Sequence, residues 1–190
     1  MHQRYLQLNP ERTNESNPIK ESYFGQDVYV PANNWLIAAS LVAALILNFV
    51  PLPVDFLWLR PDFAALVIAY WNVHHPQKMG MGIAFSLGLM VDVGNAGILG
   101  QHALAYCVVV YLTLVFGRRL RLFNASRQAP QIGMVFFSMQ LVMVLIAVSS
   151  GSSPPDWQYF LTTVTSALLW VPASFVLAQL QKQKTDPDAL

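Results

Sequence analysis

Charge is what this sequence has least of. Only 11% of its 190 residues are charged, against about 25% in ordinary soluble domains. Hydrophobic residues make up 55%, and the mean hydropathy is +0.42. So little charge cannot cover a water-facing surface, so the composition points to an integral membrane protein. The net charge of +1 leaves no basic footprint, and no nucleic-acid partner is expected. A single cysteine, Cys107, excludes an intrachain disulfide. Phosphate loops, nucleophile elbows and zinc motifs are missing. Asp92-Val93-Gly94-Asn95 has too few acids for a calcium loop. His74 and His75 are adjacent and have no second ligand cluster nearby. No metal, cofactor or catalytic residue is therefore expected. The first 34 residues lack an apolar core, so no cleavable signal peptide is expected. The run starting near Trp35 would act as an uncleaved signal-anchor.

What is present begins with a polar stretch, residues 1–34, read as a flexible cytoplasmic tail. Tyr23, Phe24, Val28, Tyr29 and Val30 give it anchors for a short docking segment. Six apolar segments follow, at about 35–50, 57–73, 79–92, 98–116, 131–149 and 157–179. The second and third are short for a crossing, which needs about 20 residues. Residues 35–180 are read as one six-helix transmembrane domain and 181–190 as a cytoplasmic tail. Orientation follows from Lys and Arg. With the N-terminus inside, every basic residue but Arg60 falls inside, and the loops near 51–56, 93–97 and 150–156 carry none. The expected topology is N-in, C-in.

Two acids lie where an apolar segment should avoid them. Leu59-Arg60-Pro61-Asp62-Phe63 opens the second segment, and Asp92 closes the third. Proline suits a first helical turn, so the second helix is expected to start near Pro61 with Asp62 in that turn. Asp62 to Val73 rises about 16 Å, and Gly80 to Asp92 about 18 Å. The turn between the segments is short. The two helices are therefore expected to be antiparallel neighbours, with Arg60, Asp62 and Asp92 at one depth. Asp62 is explained by the positive end of its helix, whereas Asp92 opposes the dipole of its own. An acid at that depth costs about 2.5–3.5 kcal/mol on insertion scales. Two readings stand for Asp92: a structural pair with Arg60, or part of a partner- or ligand-binding site made by Arg60, Asp62 and Asp92.

Small residues suggest where helices touch. Gly82 and Ser86 are four apart, as are Ala84 and Gly88, a spacing that lets backbones approach. Glycines 94, 97 and 100 suggest that the third helix then unwinds. Pro172 is expected to kink the sixth helix. Trp35, Trp58 and Trp157 read as interfacial anchors. His102 is read as an interhelical hydrogen-bonding residue, and Gln140 lies near the middle of the fifth segment. Arg118, Arg119 and Arg121 form a cytoplasmic basic loop that sets topology and attracts anionic lipid; docking of a cytoplasmic partner there is the alternative.

The residues Leu59-Arg60-Pro61-Asp62-Phe63, with Tyr70-Trp71 closing the same helix, resemble the second-helix signature of the rod shape-determining protein MreD family. Gly82-x-x-x-Ser86-x-Gly88-Leu89-x-x-Asp92, then Gly97-x-x-Gly100-x-x-Ala103-Leu104-x-Tyr106, resembles its third-to-fourth helix signature. The likeness covers about residues 35–180 and says nothing about the tail. It implies a non-enzymatic component of the bacterial cytoplasmic membrane that supports sidewall peptidoglycan synthesis and rod shape. Implied partners are MreC, and directly or indirectly MreB, RodZ, RodA and its penicillin-binding transpeptidase. The implied fold is similar to the substrate-binding subunits of vitamin ECF transporters. Pro61, Gly82, Ser86, Gly88, Gly97 and Gly100 would be its packing positions. The alternative function is a small-molecule-binding subunit of a membrane transporter. An intramembrane enzyme using Asp62 and Asp92 is a weaker third.

Overall fold

The structure, a computed structural model, describes residues 33–51 and 59–182, without the side chains of Arg118 and Lys182. The expected docking segment, most of both tails and the anchor Trp58 lie outside these residues. The described part is all-helical: α1 (Asn34–Phe49), α2 (Phe63–His74), α3 (Met81–Gly94), α4 (Gln101–Leu120), α5 (Ala125–Ser149) and α6 (Leu161–Lys182). A 3-10 turn, Trp157–Phe160, leads into α6. Two spans, Ala125–Ser149 and Trp157–Gln181, are long and apolar enough to cross a membrane; α1 to α3 and Gln101–Gly117 are shorter apolar helices.

Local chemistry sets the helix ends. Asn33 caps α1 by accepting from the Trp35 N–H at 3.1 Å. Asp62 caps α2 by accepting from the Ala65 N–H at 3.0 Å. That corrects the expected start: Pro61 and Asp62 precede the helix, because an aspartate side chain satisfies an orphan amide best from the cap position. The fifth helix begins at Ala125 and runs through Pro130, six residues earlier than expected. Gln128 secures that extra turn. Its amide nitrogen donates to the Leu120 and Phe123 carbonyls at 2.9 and 2.8 Å, and its oxygen accepts from Trp170 Nε1 at 3.1 Å. The sixth helix likewise continues through Pro172 as one element.

The central element is α2. Every residue from Ala64 to Val73 except Val67 is buried, enclosed by α1 and α4, with a lighter contact to α6. Tyr70 and Trp71 of α2 join Trp170, Phe136 and Ile132 in the core. The polar groups that enter this core are bonded across it. Trp71 Nε1 donates to Ser40 Oγ at 2.8 Å. Asn72 Nδ2 donates to Thr113 Oγ1 at 2.6 Å and to the Val110 carbonyl at 2.8 Å. Large apolar side chains instead cover the outside of every other helix, among them Ile46, Met90, Leu104, Tyr111, Leu145, Leu168 and Phe175. Apolar surface on this scale marks contact with another apolar phase.

The expected α2–α3 hairpin is not formed as a packed pair. The third helix packs mainly on α4, and α2 meets α4 and α1. Gly88 is the reason. A Cβ built there would lie 2.3 Å from the Ala103 Cα, so α3 sits directly on the backbone of α4. The short turn fixes where the two helices meet and leaves their faces free to part. Gly82 and Ser86 do not pack inside the bundle. Space around Gly82 is open, and Ser86 is exposed and donates back to the Gly82 carbonyl at 2.9 Å.

Gly88→Ala should force α3 from α4 and destabilise the fold by about 1–3 kcal/mol, the scale of overpacking. Gly82→Ala should leave stability unchanged or raise it by up to about 1 kcal/mol, since alanine favours helix. Thermal unfolding of both variants in one detergent makes the comparison.

Candidate functional site

The ends of α1, α3 and α5 meet the starts of α2, α4 and α6 around a pocket of about 210 Å³. Its walls include Asn48, Arg60, Pro61 and Asp62 from the α1–α2 junction, and Val91, Asn95 and His102 from α3 and α4. Met139, Gln140 and Met143 of α5, with Tyr159 and Thr162 beyond, complete it. Two of the three charged candidates thus line one cavity, and the third, Asp92, is linked to it through His102.

Asp92 is 1% exposed. Its carboxylate sits at the start of α4, accepting from the Gly100 N–H at 2.8 Å and the His102 N–H at 2.9 Å. A longer contact reaches the Ala103 N–H at 3.5 Å. His102 Nδ1 lies 2.7 Å from Oδ1. A carboxylate oxygen accepts, so this contact takes the His102 tautomer with its hydrogen on Nδ1. Asp92 does oppose the dipole of α3, but the positive end of α4 and its free amides more than replace what is lost. The loop makes this possible. Gly97 N–H returns to the Asp92 carbonyl at 3.0 Å, and Gly100 takes φ 94° as the cap of α4, a conformation that suits glycine. Gly97 and Gly100 therefore shape a loop and do not pack helices together, which corrects their expected role.

Asp62 is held as fully. Tyr106 OH lies 2.9 Å from each of its oxygens, and Asn48 Nδ2 donates to Oδ1 at 2.9 Å. Asn48 Oδ1 in turn accepts the Phe63 N–H at 2.9 Å. His102 and Tyr106 are four apart, hence on one face of α4, with ring centroids 6.0 Å apart, edge to face. One strip of α4 therefore binds both acids. Arg60 binds neither: its guanidinium reaches the Leu47 carbonyl at 3.5 Å. The expected Arg60–Asp92 pair does not form, because Asp92 is already supplied by α4.

On the far side of the pocket, Thr163 Oγ1 donates to Gln140 Oε1, and Gln140 Nε2 donates to the Tyr159 carbonyl at 3.3 Å. Tyr159 OH contacts Met143 Sδ at 3.7 Å. These bonds clasp α5 to the start of α6. At the opposite end of the bundle, Arg119 and Arg121 are exposed at the end of α4, where positive charge suits the helix terminus. The third arginine, Arg118, belongs to α4, with its side chain outside the described residues. His75, on the α2–α3 turn, has its pKa lowered by burial and then by the positive charges of His74, Lys78 and Arg121. Among the described residues, no group of three or more His, Cys, Asp or Glu could hold a metal ion.

Sequence reasoning missed Asn48 as a site residue and gave Tyr106 no role of its own. The visible signal was the His102/Tyr106 spacing, one helical turn, placed just after an unexplained acid.

The profile of the family described as rod shape-determining protein MreD matches residues 31–180. A curated relative, the rod shape-determining protein MreD of Haemophilus influenzae, is 31% identical over 148 residues, 78% of this chain and 91% of that protein. No solved structure matches the chain.

Asp92→Asn should cost more stability than Asp62→Asn. Both Asp92 oxygens face donors, two of them fixed backbone amides, so an inserted NH2 must confront one. That costs about 2–3 kcal/mol for a buried charged acceptor. At position 62 asparagine remains a good cap, and Tyr106 OH can turn to accept. Unfolding midpoints of the two variants, measured side by side, give the order.

Proposed function

Because the chain belongs to the rod shape-determining protein MreD family, whose profile covers residues 31–180, we propose that it works as a scaffold in the bacterial cytoplasmic membrane. In this reading six helices cross the membrane, with both termini inside. The chain acts with MreC to regulate sidewall peptidoglycan synthesis, without catalysis of its own. MreB, RodZ, RodA and the penicillin-binding transpeptidase are reached directly or through MreC. The family match is the observation that carries this proposal. Two physical features support it. Apolar side chains cover the outside of all the described helices but α2, which suits a bundle set in lipid. Asp62 and Asp92 are bonded inside the protein, which lets short, broken helices such as α3 exist at membrane depth.

A second reading, a small-molecule-binding subunit of a transporter, draws on the 210 Å³ pocket. Co-purification with an energy-coupling ATPase in place of MreC would favour it.

Cells depleted of the chain should lose rod shape and round up, and the wild-type chain should restore it. At equal membrane levels, Asp92→Asn should restore shape less well than Asp62→Asn, and should recover less MreC on co-purification. Microscopy of complemented cells with membrane immunoblots measures both. Full rescue by both variants would remove the ranking, and unchanged shape on depletion would remove the proposal.

A further inference from the structure

The pocket at the α1–α2 junction is lined by a cation that the described residues use little. Arg60 lines it, and among the described residues its guanidinium has only the 3.5 Å contact with Leu47. A guanidinium presents five N–H donors, so most of its capacity is left over at the cavity wall. The neighbouring acid does not compete. Asp62 accepts from Asn48, Ala65 and Tyr106, at the positive end of α2. Further wall groups, Asn95 and Tyr159, can hydrogen-bond a neutral polar substituent, while Met139 and Met143 make an apolar flank. On α3, Val91 also lines the pocket, and its sequence neighbours Met90 and Val93 are exposed apolar residues.

We propose that this pocket binds a singly charged phosphodiester carrying a hydroxyl-bearing substituent, with Arg60 as its anchor. The charge balance selects the diester. Asp62 is taken up by Asn48, Ala65 and Tyr106, so Arg60 offers its positive charge to one negative charge, and a second would face the Asp62 carboxylate. The planar fork suits two phosphate oxygens at once. The volume admits a headgroup-sized molecule, and the apolar flank admits a chain leaving it. An anionic glycerophospholipid headgroup and a free glycerophosphodiester share this chemistry. The proposal concerns a ligand of the bundle itself and stands apart from whether the chain binds MreC.

The test uses the purified full chain in detergent, with no cells and no partner. Phosphatidylglycerol, phosphatidylcholine, glycerophosphoglycerol and lactate are added separately, and native mass spectrometry and the unfolding midpoint are read. Wild type should retain phosphatidylglycerol and be stabilised by it, with at least tenfold weaker binding of phosphatidylcholine. Arg60→Gln should lose about tenfold or more in affinity, and Arg60→Lys an intermediate amount. Arg119→Gln, at the other end of the bundle, should bind as wild type does. Stabilisation by glycerophosphoglycerol without the lipid would support the same site with a soluble ligand. Equal binding by wild type and the Arg60 variants would overturn the proposal, as would equal binding of lactate or loss of binding in Arg119→Gln.

Discussion

The structure depends on one face of α4. His102 and Tyr106, a single turn apart, take up the carboxylates of Asp92 and Asp62 at one end of the bundle. Asp92 also closes on the backbone amides that begin α4. An isolated buried charge would cost several kcal/mol or give up its charge. Here each acid meets several donors, and those bonds tie α1, α2 and α3 to α4. This constraint explains the glycines of the loop, since only a chain that turns back sharply can bring Asp92 to the start of the next helix.

The described interior is mostly apolar with a few bonded polar groups, and the outer faces of the helices are apolar as well, unlike those of a soluble protein. Asn72, Gln128 and Gln140 bond across helices in the interior. Leucine, valine and phenylalanine cover the surface. In lipid the hydrophobic effect does not drive helices together, so packing and interhelical hydrogen bonds must. Gly88 supplies the first by removing the space a side chain would occupy. The acid-binding strip of α4 supplies the second. Together they leave a pocket at the charged end whose arginine has little work within the fold.

Much of the architecture was legible in the sequence because it depends on apolar runs, and every described helix lies on one. The boundaries read poorly where a polar residue extends a helix. The fifth apolar run starts at about 131, yet Gln128 bonds the preceding turn and α5 begins at Ala125 and passes Pro130. The short turn suggested that α2 and α3 pair, but a turn constrains ends and not faces, and the position of Gly88 decided the face. The charges of the site stood out against an apolar background. Their partners did not. Asn48 is 14 positions from Asp62 and Tyr106 is 44, and an amide or a phenol in an apolar helix is unremarkable until the fold brings it to an acid. Arg60 misled for the same reason: it was the nearest visible cation, while the backbone amides that bind Asp92 leave no mark in sequence.

A double-mutant cycle in unfolding free energy tests the bracing of Asp92 most directly. It combines Asp92→Asn with His102→Leu in one cycle and with Arg60→Gln in the other. Residues in one hydrogen-bonded network couple by about 0.5–3 kcal/mol, whereas independent sites add within about 0.5 kcal/mol. His102 should couple to Asp92 at the scale of a network, and Arg60 should add independently. Strong coupling of Arg60 to Asp92, with none to His102, would contradict the α4 brace and restore the arginine pair.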